Sequence, residues 1–245
     1  MAKKCGLEVI AVTDHDTIDG LDEAICAGEQ VGITVVRGVE LGAAEYKNLH
    51  ILGYGFQHEA PELTELCKKL RSGRDERKYR IVDFLQEKGV DISLLEVEDL
   101  AGGDVIARPH FAQALLRHGY VSSIREAFDR YLDTDEYQRI ERFKADARTC
   151  VEVIKGAGGK VALAHPYQIG LDNEKLEELI LSLVKHGLDA IECYYPIHTD
   201  EQTAFYLRLA KKYGLYVTGG SDFHGERVKP DVSIATWDMD VEWLL

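Results

Sequence analysis

The chain has 245 residues, 45% hydrophobic and 29% charged, which suits one barrel-sized domain or two smaller ones. It has no run of about 18 apolar residues, so no transmembrane helix is expected, and the short apolar run after MAKKCG meets no small-residue cleavage site, so no signal peptide is expected either. The formal charge of −14 repels long polyanions and speaks against non-specific duplex DNA binding, yet leaves room for a small phosphorylated substrate held by clustered cations.

Leu7 to Val12 is a short apolar run that predicts a buried strand. TDHDTIDG follows, where Thr17 or Asp19 is placed to cap a helix reaching about Val31. Ile33 to Val36 predicts a second strand, ending at Arg37-Gly38-Val39-Glu40, and Asn48 to Gly53 predicts a third. The pattern changes from about Arg71 to Phe143. There RDERKYRIVDFLQEKG, SLLEVEDLAG, RPHFAQALLRHG and SSIREAFDRYL carry Leu, Ile and Phe at helical spacing, without a strand run. This predicts a helical insertion over residues 72–143, capping a barrel built from residues 1–71 and 144–245. The alternation then resumes: helix DARTCVEVIKGAG and strand KVALAHP, helix NEKLEELILSLVKHG and strand DAIECYYP, helix DEQTAFYLRLAKKYG and strand LYVTGGSDFH. Gly158, Gly187 and Gly214 punctuate the helix ends. Repeated strand–helix units with short links predict a parallel sheet, of which the closed barrel is the commonest large form.

Nearly every predicted strand ends in a metal-type ligand: Asp14, His15 and Asp16, then Glu40, His50, His165, His198, and Asp222 with His224. In a parallel barrel those ends converge on one mouth, where active sites are built. Taken singly, a histidine after a strand is more often a hydrogen-bonded structural group; the repetition is what points to metal. Mixed imidazole and carboxylate donors suit Zn, Mn or Fe, and more than four such groups suggest two or three ions. Asp14 and Asp16 either cap the following helix or orient His15. His198 either orients substrate or lies on the rim. His58, His118 and His186 read as solvated or helix-terminal groups. The five cysteines are widely spaced without a CxxC pair, which fits reduced thiols in a cytoplasm.

The segments VIAVTDHDTIDGLDEA, VVRGVE, LHILGYGF, ALAHP, IECYYPIHT and GGSDFHG, in this order, resemble the polymerase and histidinol phosphatase (PHP) family over essentially the whole chain. ARPHFAQAL in the insertion, together with IECYYPIHT, is similar to its TrpH-like branch, which includes nucleoside 3′,5′-bisphosphate phosphatases and exonucleases acting on short 5′-phosphorylated oligonucleotides. The resemblance implies a distorted (β/α)7 barrel holding up to three divalent ions, Mn2+ first, with Zn2+ or Fe2+ as alternatives. It places Glu40 and Asp222 on one ion, Glu40 with His50 and His165 on a second, and His15 with His224 on a third. It further implies attack on phosphorus by a metal-held hydroxide, and it sets Arg108 and His110 toward a substrate phosphate; a helix-start ion pair is the bland alternative for Arg108. The family opens with a strand carrying His-x-His, which has no counterpart here, so by resemblance the first strand is missing, through a late start assignment or a truncation.

The function expected is a cytoplasmic phosphoesterase acting on small nucleotides or short oligonucleotides. A histidinol-phosphate or other sugar-phosphate phosphatase, or an inactive metal-binding remnant, is the alternative. A nucleotide substrate needs a surface for the base; Tyr54, Phe56, Tyr194 and Tyr195 are available for that, or for barrel packing. Oligomeric state is not legible.

Overall fold

The computed structural model describes residues 1–101, 106, 108–225 and 232–245. Their packing divides into two compact units, residues 1–68 with 144–245, and residues 69–143.

The first unit is a mixed α/β structure. Its strands are β1 (Val9–Val12), β2 (Thr34–Gly42), β3 (His50–Tyr54), β4 (Lys160–Leu163), β5 (Ala190–Tyr194) and β6 (Tyr216–Gly219), and they pair in that order. Helix α1 (Leu21–Val31) connects the parallel pair β1 and β2. Strands β4, β5 and β6 are also parallel, joined through α8 (Asn173–His186) and α9 (Asp200–Tyr213), while α7 (Ala147–Gly156) precedes β4. The strongly amphipathic sequence of these helices buries Val151 and Ile154 on α7, Ile180 on α8 and Leu209 on α9. Asp146, Asp172 and Thr199 cap their N-termini through side-chain oxygens, and Gly187 and Gly214 close α8 and α9 in the left-handed conformation. Ala162, Ala164 and Ala190 share one apolar cluster with Val36, Leu52 and Tyr54, and Ala11 of β1 with Trp243 and Leu244 of the C-terminal turn pack against it. Trp243 lies flat on Tyr216 of β6, ring centroids 4.5 Å apart.

Two expectations need correction. The sheet is not uniformly parallel, because β3 runs antiparallel to both β2 and β4. The link over residues 43–49 is too short for a crossover helix, so the chain can only turn back on itself. Nor does Thr17 or Asp19 cap α1; its N-cap is Gly20, which contributes no side-chain bond, and Thr17 Oγ1 accepts instead from the Asp19 amide.

The sheet is curled. His15 follows β1 and His224 follows β6, at opposite edges of the strand order, yet their rings are 5.9 Å apart. Across a flat six-stranded sheet those edges would be separated by about 24 Å. The six strands form an open, curled α/β sheet whose loops meet at one rim.

The second unit is helical. It contains most of α2 (Pro61–Glu87), then α3 (Leu94–Ala101), α4 (Arg108–Arg117), α5 (Ile124–Ala127) and α6 (Asp135–Gln138). It has its own core, in which Leu85, Ile92, Val97, Phe111, Leu115, Leu132 and Tyr137 are buried.

Candidate metal centre

Five polar or charged side chains are buried among the described residues: Asp16, Glu40, His165, Glu192 and Thr218. All belong to the first unit, on the rim or one step below it. Burying such groups is costly unless each finds a partner, so their concentration marks a place where chemistry outranks packing.

Glu40 sits at the centre. Strand β2 carries it two residues before its end, between β1 and β3. Its Oε1 is 2.6 Å from His50 Nδ1 and 3.1 Å from His165 Nε2, and its Oε2 is 3.5 Å from His15 Nδ1. Burial alone would raise its pKa, but hydrogen bonds from His165 and His50 and the charge of His15 outweigh burial and hold it well below the usual carboxylate range. Burial likewise pulls His165 down, and the Glu40 carboxylate more than reverses this.

The reversed β3 explains the place of His50. This residue begins its strand rather than ending it, contrary to the strand-end reading of the sequence. Because β3 is antiparallel, its N-terminal end lies at the same rim as the C-terminal ends of β2 and β4.

The six residues expected as ligands, together with Tyr195, form a closed circuit. His15 lies 4.9 Å from His50 and 5.9 Å from His224, ring to ring, and His50 lies 5.0 Å from His165. His224 Nδ1 is 3.4 Å from Asp222 Oδ1 and 2.7 Å from the Asp222 carbonyl oxygen. Tyr195 closes the circuit: its hydroxyl donates to Asp222 Oδ2 at 3.3 Å, and its ring lies 5.8 Å from that of His165. Burial, then the nearby carboxylates of Asp222 and Glu192, push the Tyr195 pKa up, so the hydroxyl stays protonated.

The donor set fits a divalent cation. His15, Glu40 and His50 offer ligand atoms within 4.8 Å of one another. His50 Nδ1 and His165 Nε2 face each other at 3.1 Å over a single carboxylate oxygen. Imidazole nitrogens converging with a carboxylate oxygen are the donors that Zn, Mn and Fe prefer.

Backbone strain collects here too. Among the described residues three non-glycine positions have positive φ: Asp16 at 55°, His165 at 22° and Asp222 at 50°. Such conformations persist only where surroundings over-determine them, and they cluster at functional sites. Asp16 shows how. It is fully buried, its amide donates to the Glu40 carbonyl at 2.9 Å, and its Oδ1 accepts from the Gly42 amide at 3.1 Å. It braces the His15 turn against β2. Asp14 is exposed, and its carbonyl accepts from the Glu40 amide at 3.1 Å. Neither aspartate caps α1.

The substrate candidates belong to both units: His198 to the first, Arg108 and His110 to the second. His198 Nδ1 is 3.0 Å from the Cys193 carbonyl, with its ring edge-on to Tyr206 at 4.9 Å and tilted on Tyr195 at 5.2 Å. Arg108 and His110 open α4 in the helical unit. Arg108 pairs with Asp133 at 2.6 Å and lies over the Phe128 ring, and burial lowers the pKa of His110. Of the four aromatics considered for a base, Tyr54 and Phe56 are buried and Tyr194 stacks on Trp237 at 6.3 Å, leaving Tyr195 on the rim.

The sequence reading missed Glu192 and Gln168. Glu192 is buried in the middle of β5, where burial drives its carboxyl up to about 7. A lone carboxylate inside the apolar run AIECY was the available signal. Gln168 donates to Tyr195 at 2.6 Å and receives Asn48 on its carbonyl at 2.9 Å. That link depends on the fold and has no local sequence signature.

A family model for the PHP domain matches residues 1–216. The chain belongs to the PHP family. It is 34% identical over 220 residues to a 5′-3′ exoribonuclease of Haemophilus influenzae, covering 89% of this chain and 80% of that one. It is 34% identical to a phosphoribosyl 1,2-cyclic phosphate 1,2-diphosphodiesterase of Eggerthella lenta, covering 92% and 86%. It is 32% identical to a 3′,5′-nucleoside bisphosphate phosphatase of Chromobacterium violaceum, covering 88% and 76%. Among solved structures, an amidohydrolase from Chromobacterium violaceum with bound sulfate and no metal superposes with a TM-score of 0.81 at 30% identity, over 98% of this chain and 84% of that one. By enzyme class this PHP chain is a metal-dependent hydrolase of phosphoric esters.

Proposed function

We propose that this PHP-family hydrolase removes phosphate from small nucleotides such as nucleoside 3′,5′-bisphosphates, or releases nucleotides from short 5′-phosphorylated oligonucleotides. The observation that carries the reading is the circuit of His15, Glu40, His50, His165, His224 and Asp222 at one rim. The names of relatives that act on RNA ends and on nucleoside bisphosphates support the substrate class.

We assign those six side chains to hold divalent cations, Mn2+ first and Zn2+ or Fe2+ next. Glu40, with contacts to three imidazoles, is the candidate to serve two ions at once. When bound, such ions act as Lewis acids on phosphoryl oxygens and supply a nucleophile at neutral pH. The protein's own groups do the rest. The buried face of Glu40 fixes the positions of His50 and His165, Asp16 braces the turn of His15, and Tyr195 orients Asp222. Arg108, His110 and His198 are assigned to the substrate, Arg108 by the affinity of a guanidinium fork for phosphate. The exposed thiols of Cys5 and Cys26 suit a reducing cytoplasm. No helix among the described residues is long and apolar enough to cross a membrane.

The test is a substrate panel with Mn2+ and with Zn2+. It comprises adenosine 3′,5′-bisphosphate, a 5′-phosphorylated trinucleotide, a phosphoribosyl 1,2-cyclic phosphate and histidinol phosphate. The reading expects the highest kcat/KM on one of the first two. Turnover confined to histidinol phosphate or to the cyclic ester would replace it, and turnover of none would sink it.

A further inference from the structure

We propose that Glu192 is a positioning residue that holds two ligand-bearing turns, one carrying His165 and one carrying Asp222, in the geometry the metal centre requires. The proposal rests on the metal-centre reading above.

Strand order places β5 between β4 and β6, so a side chain from β5 can reach the loops that leave both neighbours. Glu192 does this with its two oxygens. Oε2 accepts from the His165 amide at 2.7 Å. That amide belongs to the residue with φ of 22°, a backbone that needs an external hold. Oε1 faces Gly220, where a built Cβ would come within 2.1 Å of it. Position 220 therefore excludes any side chain while Glu192 keeps its place. Gly220 is itself tied to β5, since its amide donates to the Tyr194 carbonyl at 3.0 Å. Asp222, two residues on, is another of the strained positions.

A purely structural role accounts poorly for this arrangement. Glu192 pairs with Thr218 of the edge strand β6 and is buried, flanked by buried Ile191 and Cys193, where an apolar residue would be cheaper to bury than a carboxylate. What an apolar residue cannot do is accept the His165 amide while wedging against Gly220. Groups that orient metal ligands in this indirect way typically change metal affinity by about 10–100-fold when removed.

The experiment compares Glu192→Ala, Glu192→Gln, Gly220→Ala and the double variant Gly220→Ala/Glu192→Ala in the full chain. Three quantities are read: Mn2+ affinity by titration calorimetry, kcat and KM on a phosphomonoester, and hydrogen exchange at the His165 amide without metal. Glu192→Ala and Gly220→Ala are each expected to weaken Mn2+ binding by about 10–100-fold and to lower kcat more than they raise KM. The double variant should be no worse than the worse single one, because both changes break the same contact. Glu192→Gln keeps an acceptor oxygen for the His165 amide and should stay within about threefold of the parent. If Glu192→Ala does not fold, Gly220→Ala and Glu192→Gln still carry the comparison. Additive losses in the double variant, or a glutamine as damaging as alanine, would overturn the proposal. A parent protein that binds no divalent cation would remove the metal-centre reading. The exchange measurement then decides separately: faster exchange at His165 in Glu192→Ala supports the Glu192 clamp, and unchanged protection rejects it.

Discussion

At the scale of single residues, the site turns on one carboxylate. Glu40 contacts His15, His50 and His165, and no other carboxylate among the described contacts meets three imidazoles. Glutamine offers one neutral oxygen and cannot balance cationic charge as a carboxylate does. Glu40→Gln is therefore expected to lose more bound metal than His15→Ala, by about tenfold in affinity, read as metal content after dialysis against a weak chelator. Equal retention in the two variants would contradict the central place of Glu40. Arg108 makes a different prediction. Its guanidinium pairs with Asp133 of its own unit. Arg108→Ala should raise KM for a nucleoside bisphosphate several-fold and leave a small aryl phosphate nearly unchanged, because only the longer substrate offers a remote phosphate. Matching losses on both would place Arg108 at the reacting phosphate or in the packing of its own unit. The six rim residues were legible in the sequence because imidazoles and carboxylates interrupt apolar runs at strand boundaries, where a solvent-facing residue had no need to be one of so few types. Glu192 was equally anomalous inside AIECY, but it lies within a strand rather than at its end. Asp16 was legible as a candidate partner of His15, but its bond to the Gly42 amide was not, because that contact is long-range and set by the fold.

At the scale of elements, the α/β rhythm, the helical insertion and the strand sequence follow from hydrophobic periodicity and turn residues. The direction of β3 does not follow from periodicity, because a strand reads the same either way. It follows from the length of its link to β2, over residues 43–49, which admits a hairpin and forbids a crossover. The same reversal moves His50 from a strand end to a strand start while keeping it on the rim. The turn between β1 and α1 gives a stability prediction. Asp16→Ala leaves the buried Gly42 amide without its carboxylate acceptor and removes the group that braces the turn of His15. It should cost about 1–3 kcal/mol of stability and weaken metal binding as well. Thr199→Ala is the matched control. It breaks the capping box of α9, a helix that follows the Tyr195–His198 segment but carries none of the six candidate ligands, and should cost about 1 kcal/mol with metal affinity unchanged. Thermal unfolding of the metal-free proteins and calorimetric titration of each separate the two cases. A Thr199 variant with weakened metal binding would show that the cap, and not only Asp16, supports the site.

At the scale of the whole molecule, the chain combines an acidic balance with a function that handles anions. The formal charge of −14 is spread over the chain, while the circuit gathers His15, His50, His165 and His224 around two carboxylates. Bound cations would make that one rim locally positive on an otherwise repelling surface, favouring small phosphate esters over long duplexes. All six circuit residues lie in the first unit, and the helical unit has a core of its own. Metal should therefore stabilise the molecule unevenly. A ligand that binds only the folded state adds about 2.7 kcal/mol when present at 100 times its dissociation constant. This gain should appear where the ligands are fixed, in β2, β3 and the turns after β1, β4 and β6, as slower hydrogen exchange. The core amides of residues 69–143, around Phe111, Leu115 and Tyr137, should exchange at rates that metal changes little. Adding a chelator should reverse the protection and lower the temperature of thermal unfolding. Uniform protection of both units by Mn2+ would mean that the helical unit opens only together with the sheet. No protection anywhere, with less than about 0.2 ion bound per chain after reconstitution, would remove the metal centre itself, since intact sites of this kind hold their ions tightly.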